Sequence, residues 1–197
     1  MALLDSVRAL WPWEAVAVVL AIIYLLLAIR QNILCWVAAF ASATIYLVLM
    51  FRVGLYMESG LQLFYMAMAL YGWYSWRHGS GVREQLRVSS WPLAFNIPPL
   101  LLIGFATFVS GFVLQSYSNA AMPYIDSFTS WGAIVSTWMV ARKIIQNWHY
   151  WFVIDSVSIY LYASRGLWLT VLLFALYLVL IIIGFREWRK CLPMRVQ

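Results

Sequence analysis

The chain has 197 residues, of which 65% are hydrophobic and 18% aromatic, and only 10% carry charge, against about 25% in an average soluble domain. A water-soluble fold of this size cannot hide so much apolar surface, so the solvent to assume is lipid. The net charge of +6 falls in short clusters between apolar runs, which reads as a topological signal and argues against a nucleic-acid surface.

Runs able to cross about 30 Å of hydrocarbon as helices, roughly 20 residues each, are expected at 13–29, 33–51, 59–77, 94–114, 124–141, 147–164 and 167–185. The first follows "WPWE" with one Arg before it and no small-residue cleavage site, so it reads as a retained helix. Gly, Pro, Asn and charge break the pattern at "RQN", "RVGLYMESG", "HGSGVREQLRVSSWP", "NAAMP", "RK" and "SRG". With the N-terminus outside, the cytoplasmic segments carry Arg30, Arg77, Arg83, Arg87, Arg142, Lys143, Arg186, Arg189, Lys190 and Arg195, leaving Arg8, Arg52 and Arg165 outside. That asymmetry predicts an N-out, C-in orientation. Cys35 and Cys191 then lie at cytoplasmic ends, where thiols stay reduced and no disulfide is expected.

An internal repeat runs through the chain. Laid over itself with Gly72 on Gly184, the sequence brings "GWYSWRH" at 72–78 onto "GFREWRK" at 184–190, matching Trp76 with Trp188 and Arg77 with Arg189. The same register pairs Arg30 with Arg142, Trp36 with Trp148, Gly54 with Gly166 and Tyr65 with Tyr177. The first three and last three spans are therefore two copies of one unit, and the fourth span restores the direction between them. The expected fold is an all-α integral membrane protein of seven transmembrane helices in a 3+1+3 arrangement, two parallel repeats joined by a linker helix, with a substrate site between the halves. Its parts are residues 1–78, the first repeat; 79–123, loop and linker helix; 124–190, the second repeat; and 191–197, a cytoplasmic tail. Gly79, Gly81, Ser89 and Ser90 suit the long loop before the linker.

Two helix faces carry polar groups among aromatic rings. Gln62, Tyr65, Ala69, Trp73 and Trp76 recur at i, i+3, i+7, i+11 and i+14, a stripe about 80° wide. Trp148, Trp151, Asp155 and Tyr162 make a second. An ionised carboxylate at the depth of Asp155 costs at least about 2.5–3.5 kcal/mol. It reads either as the counter-charge of a cationic ligand stacked on Trp148, Trp151, Trp73 and Tyr65, or as a structural acid bonded to Ser156, Ser158, a tyrosine or an Arg. Gln62 either meets the ligand or bonds a neighbouring helix. Trp36, Trp76 and Trp188, near span ends, read as gate residues or headgroup anchors.

Other chemistry is thin. No phosphate-binding Gly-Lys loop occurs. His78 and His149 are single and at the water boundary, so neither a metal nor a cofactor is expected. An intramembrane hydrolase or a non-transporting receptor remains an alternative class. The residues favour a carrier, not an enzyme, for a small, flat, cationic solute.

"LYGWYSW" and "NWHYWFVID…LYASRGLWLT…LYLVLIIIGFREWRK" resemble the PnuC family of bacterial vitamin transporters, a resemblance that spans nearly the whole chain. It implies a SWEET-like fold, a bacterial inner-membrane location, facilitated diffusion by rocking of the two halves, capture of the vitamin by a cytoplasmic kinase, and a homotrimer. Members of the family carry nicotinamide riboside, thiamine or riboflavin. Gln62, Trp148 and Trp151 match the riboside pattern, whereas Ala69 and Asp155 stand where the resemblance leads one to expect Asn. Nicotinamide riboside is the expected substrate, with thiamine nearly level. Neutral, larger riboflavin fits a buried Asp least well.

Overall fold

The computed structural model describes residues 2–52, 56–79, 86–117, 122–164 and 168–192, with side chains throughout except at 2–11, 56–58, 169 and 170. Gly54, Gly81, Arg83, Arg165, Gly166 and Arg195 fall outside the described residues, as does the side chain of Arg8. The elements are α1 (Ala2–Ile29), α2 (Cys35–Arg52), α3 (Tyr56–His78), a 3-10 turn (Leu93–Asn96) leading into α4 (Ile97–Tyr117), α5 (Pro123–Ala141), α6 (Asn147–Ser164) and α7 (Trp168–Lys190). Each expected span is a helix. Four of them, α1, α2, α4 and α7, are long and apolar enough to cross a membrane by hydropathy alone among the described residues. The polar positions that lower the others include Gln62 on α3 and Asp155 on α6.

The boundaries carry the repeat. In the register that lays Gly72 on Gly184, both ends of α2 fall on those of α6, both ends of α3 on those of α7, and the end of α1 on the end of α5. One difference from expectation is the start of α1, which passes through Pro12 instead of beginning after it. Upstream, residues 2–11 hold neither Gly nor Pro, so the missing N–H of one proline is the only local interruption. At α4, Pro98 and Pro99 fall in the first turn, where their absent N–H groups have no intrahelical partner to lose.

The turns before α2 and α6 repeat in backbone detail. Gln31 has φ 53° and Lys143 φ 50°, the left-handed conformation that lets a helix end and reverse. Around them, Asn32 N donates to Leu27 O at 2.9 Å and Ile144 N to Met139 O at 3.0 Å. Gln31 N donates to Ala28 O at 3.0 Å and Lys143 N to Val140 O at 2.9 Å. Lys143, counted above with the cytoplasmic basic residues, is buried in its turn.

The chain divides into two compact units, Met1–Leu86 and Arg87–Gln197. In the first, α1 packs on α2 and α2 on α3. Ser42 Oγ donates to Ala17 O at 2.9 Å and Ser59 Oγ to Leu47 O at 3.1 Å, so both seams are pinned by hydroxyls that would otherwise be unpaired in an apolar medium. In the second unit α4 packs on α5, α5 on α6 and α6 on α7. Ile103, Val135, Met139 and Ile144 form its core cluster, flanked by Trp91, Phe128, Trp131 and Tyr150. Trp131 Nε1 donates to Ser110 Oγ at 3.1 Å, joining α5 to α4. Cys35 and Cys191 are both free, the first buried and the second exposed.

Candidate functional site

Each unit contains a buried tryptophan pair. The Trp36 indole packs edge-on to Trp76 at 5.4 Å between centroids and 84° between planes, and Trp148 packs on Trp188 at 5.4 Å and 89°. Gly72 and Gly184 make this possible: a Cβ on either would overlap the indole of Trp36 or Trp148 respectively. A glycine at this level leaves α3 or α7 with a notch that the ring from α2 or α6 fills, and the edge-to-face contact suits the ring quadrupoles.

These contacts bear on the headgroup-anchor half of one expectation. Trp36, Trp76 and Trp188 were expected as gate residues or headgroup anchors, but they are 2%, 3% and 0% exposed. They are internal packing residues. A headgroup anchor presents its polar edge to the interface, whereas Trp36 Nε1 and Trp148 Nε1 are both buried without a hydrogen-bond partner among the described residues. Trp148, expected on the ligand-binding face, is enclosed between Gly184 and Trp188 inside its own unit. Sequence periodicity puts it on the Asp155 stripe; what covers that end of the stripe depends on α7.

The other expected residues remain less enclosed. In the first unit Gln62, Tyr65 and Trp73 are half-buried along α3, and Tyr65 packs against Phe64 at 5.6 Å. No hydrogen bond to the Gln62 side chain forms among the described residues. In the second unit Trp151 and Tyr162 are half-buried on α6, with Tyr162 5.2 Å from the Phe174 ring of α7.

Asp155 differs from all of these. It is 4% exposed, and no hydrogen bond or ion pair to it forms among the described residues. Ser156, one of the expected structural partners, instead turns back along its helix and donates to Phe152 O at 2.7 Å. Thr44 does the same in the first repeat, donating to Phe40 O at 2.7 Å. The repeat places Ala43 where the second copy has Asp155, so the carboxylate is not needed for the architecture of the unit. A buried carboxyl group without a counter-charge among the described residues is suited to meeting a cation that arrives from outside.

Sequence reasoning missed Tyr24, whose ring lies 6.1 Å from Trp36 and whose counterpart in the repeat is Ser136, fully buried with an unpartnered hydroxyl among the described residues. The register of the repeat, extended to unlike residues, is the signal that finds this asymmetry. No group of three or more His, Cys, Asp and Glu residues able to hold a metal occurs among the described residues.

Known proteins are similar to this chain. A riboflavin/roseoflavin transporter, RibM of Streptomyces davaonensis, is 26% identical over 180 residues, covering 89% of this chain and 83% of its own. The nicotinamide riboside transporter PnuC of Escherichia coli is 24% identical over 200 residues, covering 89% and 84%. The crystal structure of the vitamin B3 transporter PnuC matches the fold with a TM-score of 0.71 at 21% identity, over 91% of this chain and 81% of that one. The sequence profile of the nicotinamide mononucleotide transporter family matches residues 11–190. The tryptophan–glycine repeat, the order of the helices and this match over nearly the whole chain together make it a multi-pass membrane protein of the nicotinamide mononucleotide transporter family.

Proposed function

We propose that this chain takes up a small, flat, cationic vitamin by facilitated diffusion, with nicotinamide riboside as the substrate. The observation that carries the reading is Asp155, buried on α6 with no counter-charge among the described residues. A pyridinium or thiazolium ring supplies that charge. Trp151 and Tyr162 in the second unit offer ring faces for stacking, as Tyr65 and Trp73 do in the first, each cation–π contact contributing about 0.5–2 kcal/mol. Gln62 offers an amide for a hydrogen bond, and Trp148, held by Trp188, stiffens the end of the α6 face.

Thiamine is the second reading, because a carboxylate can accept from its aminopyrimidine and also balance its thiazolium. Riboflavin, the substrate named for RibM, carries no cation for Asp155 and is disfavoured on that ground. In the same proposal the chain lies in a bacterial inner membrane with its N-terminus outside, works as a homotrimer, and relies on a cytoplasmic kinase to trap the vitamin and give net uptake.

The deciding experiment is calorimetric binding of nicotinamide riboside, thiamine and riboflavin to the purified protein, followed by uptake of whichever binds into liposomes. Binding of the riboside with release of unaltered solute inside supports the reading. Binding without passage would make the protein a receptor, and an altered product would make it an enzyme.

A further inference from the structure

The polar contacts that substrate binding leaves unused are concentrated ahead of α4, in the second unit. Ser89 forms an isolated parallel bridge with Ile144 in the α5–α6 turn. Its N–H donates to Lys143 O at 3.0 Å, and its carbonyl accepts from Ile145 N–H at 2.9 Å. Gln146 closes the contact with both ends of its amide. Oε1 accepts from Trp91 N–H at 3.1 Å, while Nε2 donates to Ser90 Oγ at 3.0 Å and to Trp91 O at 2.9 Å.

A single side chain thus satisfies backbone groups of an irregular segment that has no ladder of its own, which is the use to which an amide's paired donor and acceptor are suited. Apolar burial reinforces it. Val88 is 3% exposed, and Trp91 lies against the Val135, Met139 and Ile144 core, 5.9 Å from the Trp138 ring. Farther along, Tyr150 OH donates to Asn96 O at 3.4 Å. Leu34 occupies the equivalent of Gln146 in the first repeat and cannot make these bonds, although the surrounding turn has the same backbone. The amide is therefore an addition to the repeated architecture, present only where the linker segment docks.

We propose that Gln146 is a latch that fastens residues 88–91 to the α5–α6 turn, so that α4 travels with the second repeat as one rigid body during transport. The inference rests on the transport reading for the motion, but the latch is tested separately. Rocking between packed states requires each moving body to resist internal shear. With the latch removed, the segment ahead of α4 keeps the two Ser89 backbone bonds, the Tyr150–Asn96 bond and its packing but loses three side-chain bonds, and part of each rocking motion is lost as movement of α4. Gln146 is a positioning residue on this view and touches no substrate.

The test uses the full chain in liposomes. Gln146→Leu installs the first-repeat residue, and amide hydrogen exchange is read at Ser89, Trp91 and Ile145. Exchange at Ser89 and Trp91 is expected to accelerate by about tenfold or more, with uptake falling by about threefold or more while riboside affinity stays within about twofold. In a Cys191→Ser background, Ser90→Cys with Gln146→Cys is expected to lose uptake as Gln146→Leu does, and bridging the two thiols with a short bifunctional reagent to restore the native rate. Unchanged exchange or unchanged uptake in Gln146→Leu overturns the latch. Uptake that fails to recover on bridging overturns it too, since the segment must then open in the cycle. A native protein that takes up none of the vitamins sinks the transport reading, and exchange at Ser89 and Trp91 then decides the latch by itself.

Discussion

Trp148 rests in a notch that Gly184 leaves on α7, and the same contact recurs in the first repeat between Trp36 and Gly72. On an exposed helix face, replacing Gly by Ala stabilises by about 0.5–1 kcal/mol. Here the added methyl meets an indole that Trp188 or Trp76 holds from the other side, and overpacking of this kind costs about 1–3 kcal/mol. Sterics win. Gly184→Ala is expected to lower the thermal midpoint in detergent, and Gly184→Ala with Trp148→Phe to recover part of the loss. A midpoint raised by Gly184→Ala alone would show that the notch is not occupied.

Asp155→Asn keeps the size of the side chain and removes its charge. Loss of a charge-assisted contact of about 1.5–3 kcal/mol predicts that binding of nicotinamide riboside or thiamine weakens by about tenfold or more. Riboflavin binding, where it occurs, should change little. Calorimetry on the variant with each vitamin decides this, and equal losses for charged and neutral ligands would remove the counter-ion role.

Trp73 and Trp188 separate binding from stability. Trp73 is half-buried on the Gln62 face, whereas Trp188 is fully buried on Trp148. Trp188→Ala opens a cavity that costs about 3–5 kcal/mol and is expected to appear as a collapse of the thermal midpoint. Trp73→Ala is expected to keep the midpoint within a few degrees and to weaken ligand binding. Equal thermal losses in the two variants would contradict the division.

Gln31 is held at φ 53°, a conformation that costs an L-residue about 1–2 kcal/mol relative to its right-handed form. Gln31→Gly removes that strain at the expense of a more flexible unfolded chain. The net expectation is a midpoint equal to or slightly above that of the native protein, while Gln31→Val, with a branched Cβ, should lower it. Differential scanning in detergent checks both.

Cysteine labelling tests the orientation. Cys191 is exposed at the end of α7 and Cys35 is buried. An N-out, C-in chain predicts that a membrane-impermeant maleimide labels inverted vesicles at Cys191 and leaves intact cells unlabelled. Labelling of Cys191 in intact cells would reverse the topology.

Helix positions, the number of repeats and their register were legible in the residues, because each rests on short-range physics. An apolar run long enough to cross hydrocarbon must bond its own backbone as a helix, and Gly, Trp and Arg recurring in one register mark repeated geometry. The Gln31 and Lys143 turns were not foreseen, since neither residue type announces a left-handed backbone. Nor was the Gln146 clasp, whose partners Ser90 and Trp91 are separated from it along the chain by the whole of α4 and α5.

By itself the sequence determined that this chain spans a membrane, repeats a three-helix unit, and carries one acid where the first copy has alanine. Only the tertiary structure decided that Trp36, Trp76, Trp148 and Trp188 are interior and that Asp155 lacks a counter-charge among the described residues. Periodicity assigns a residue to a face of its own helix. Whether that face is covered depends on a neighbouring helix brought there by packing, and for these indoles the neighbour has a glycine at the point of contact.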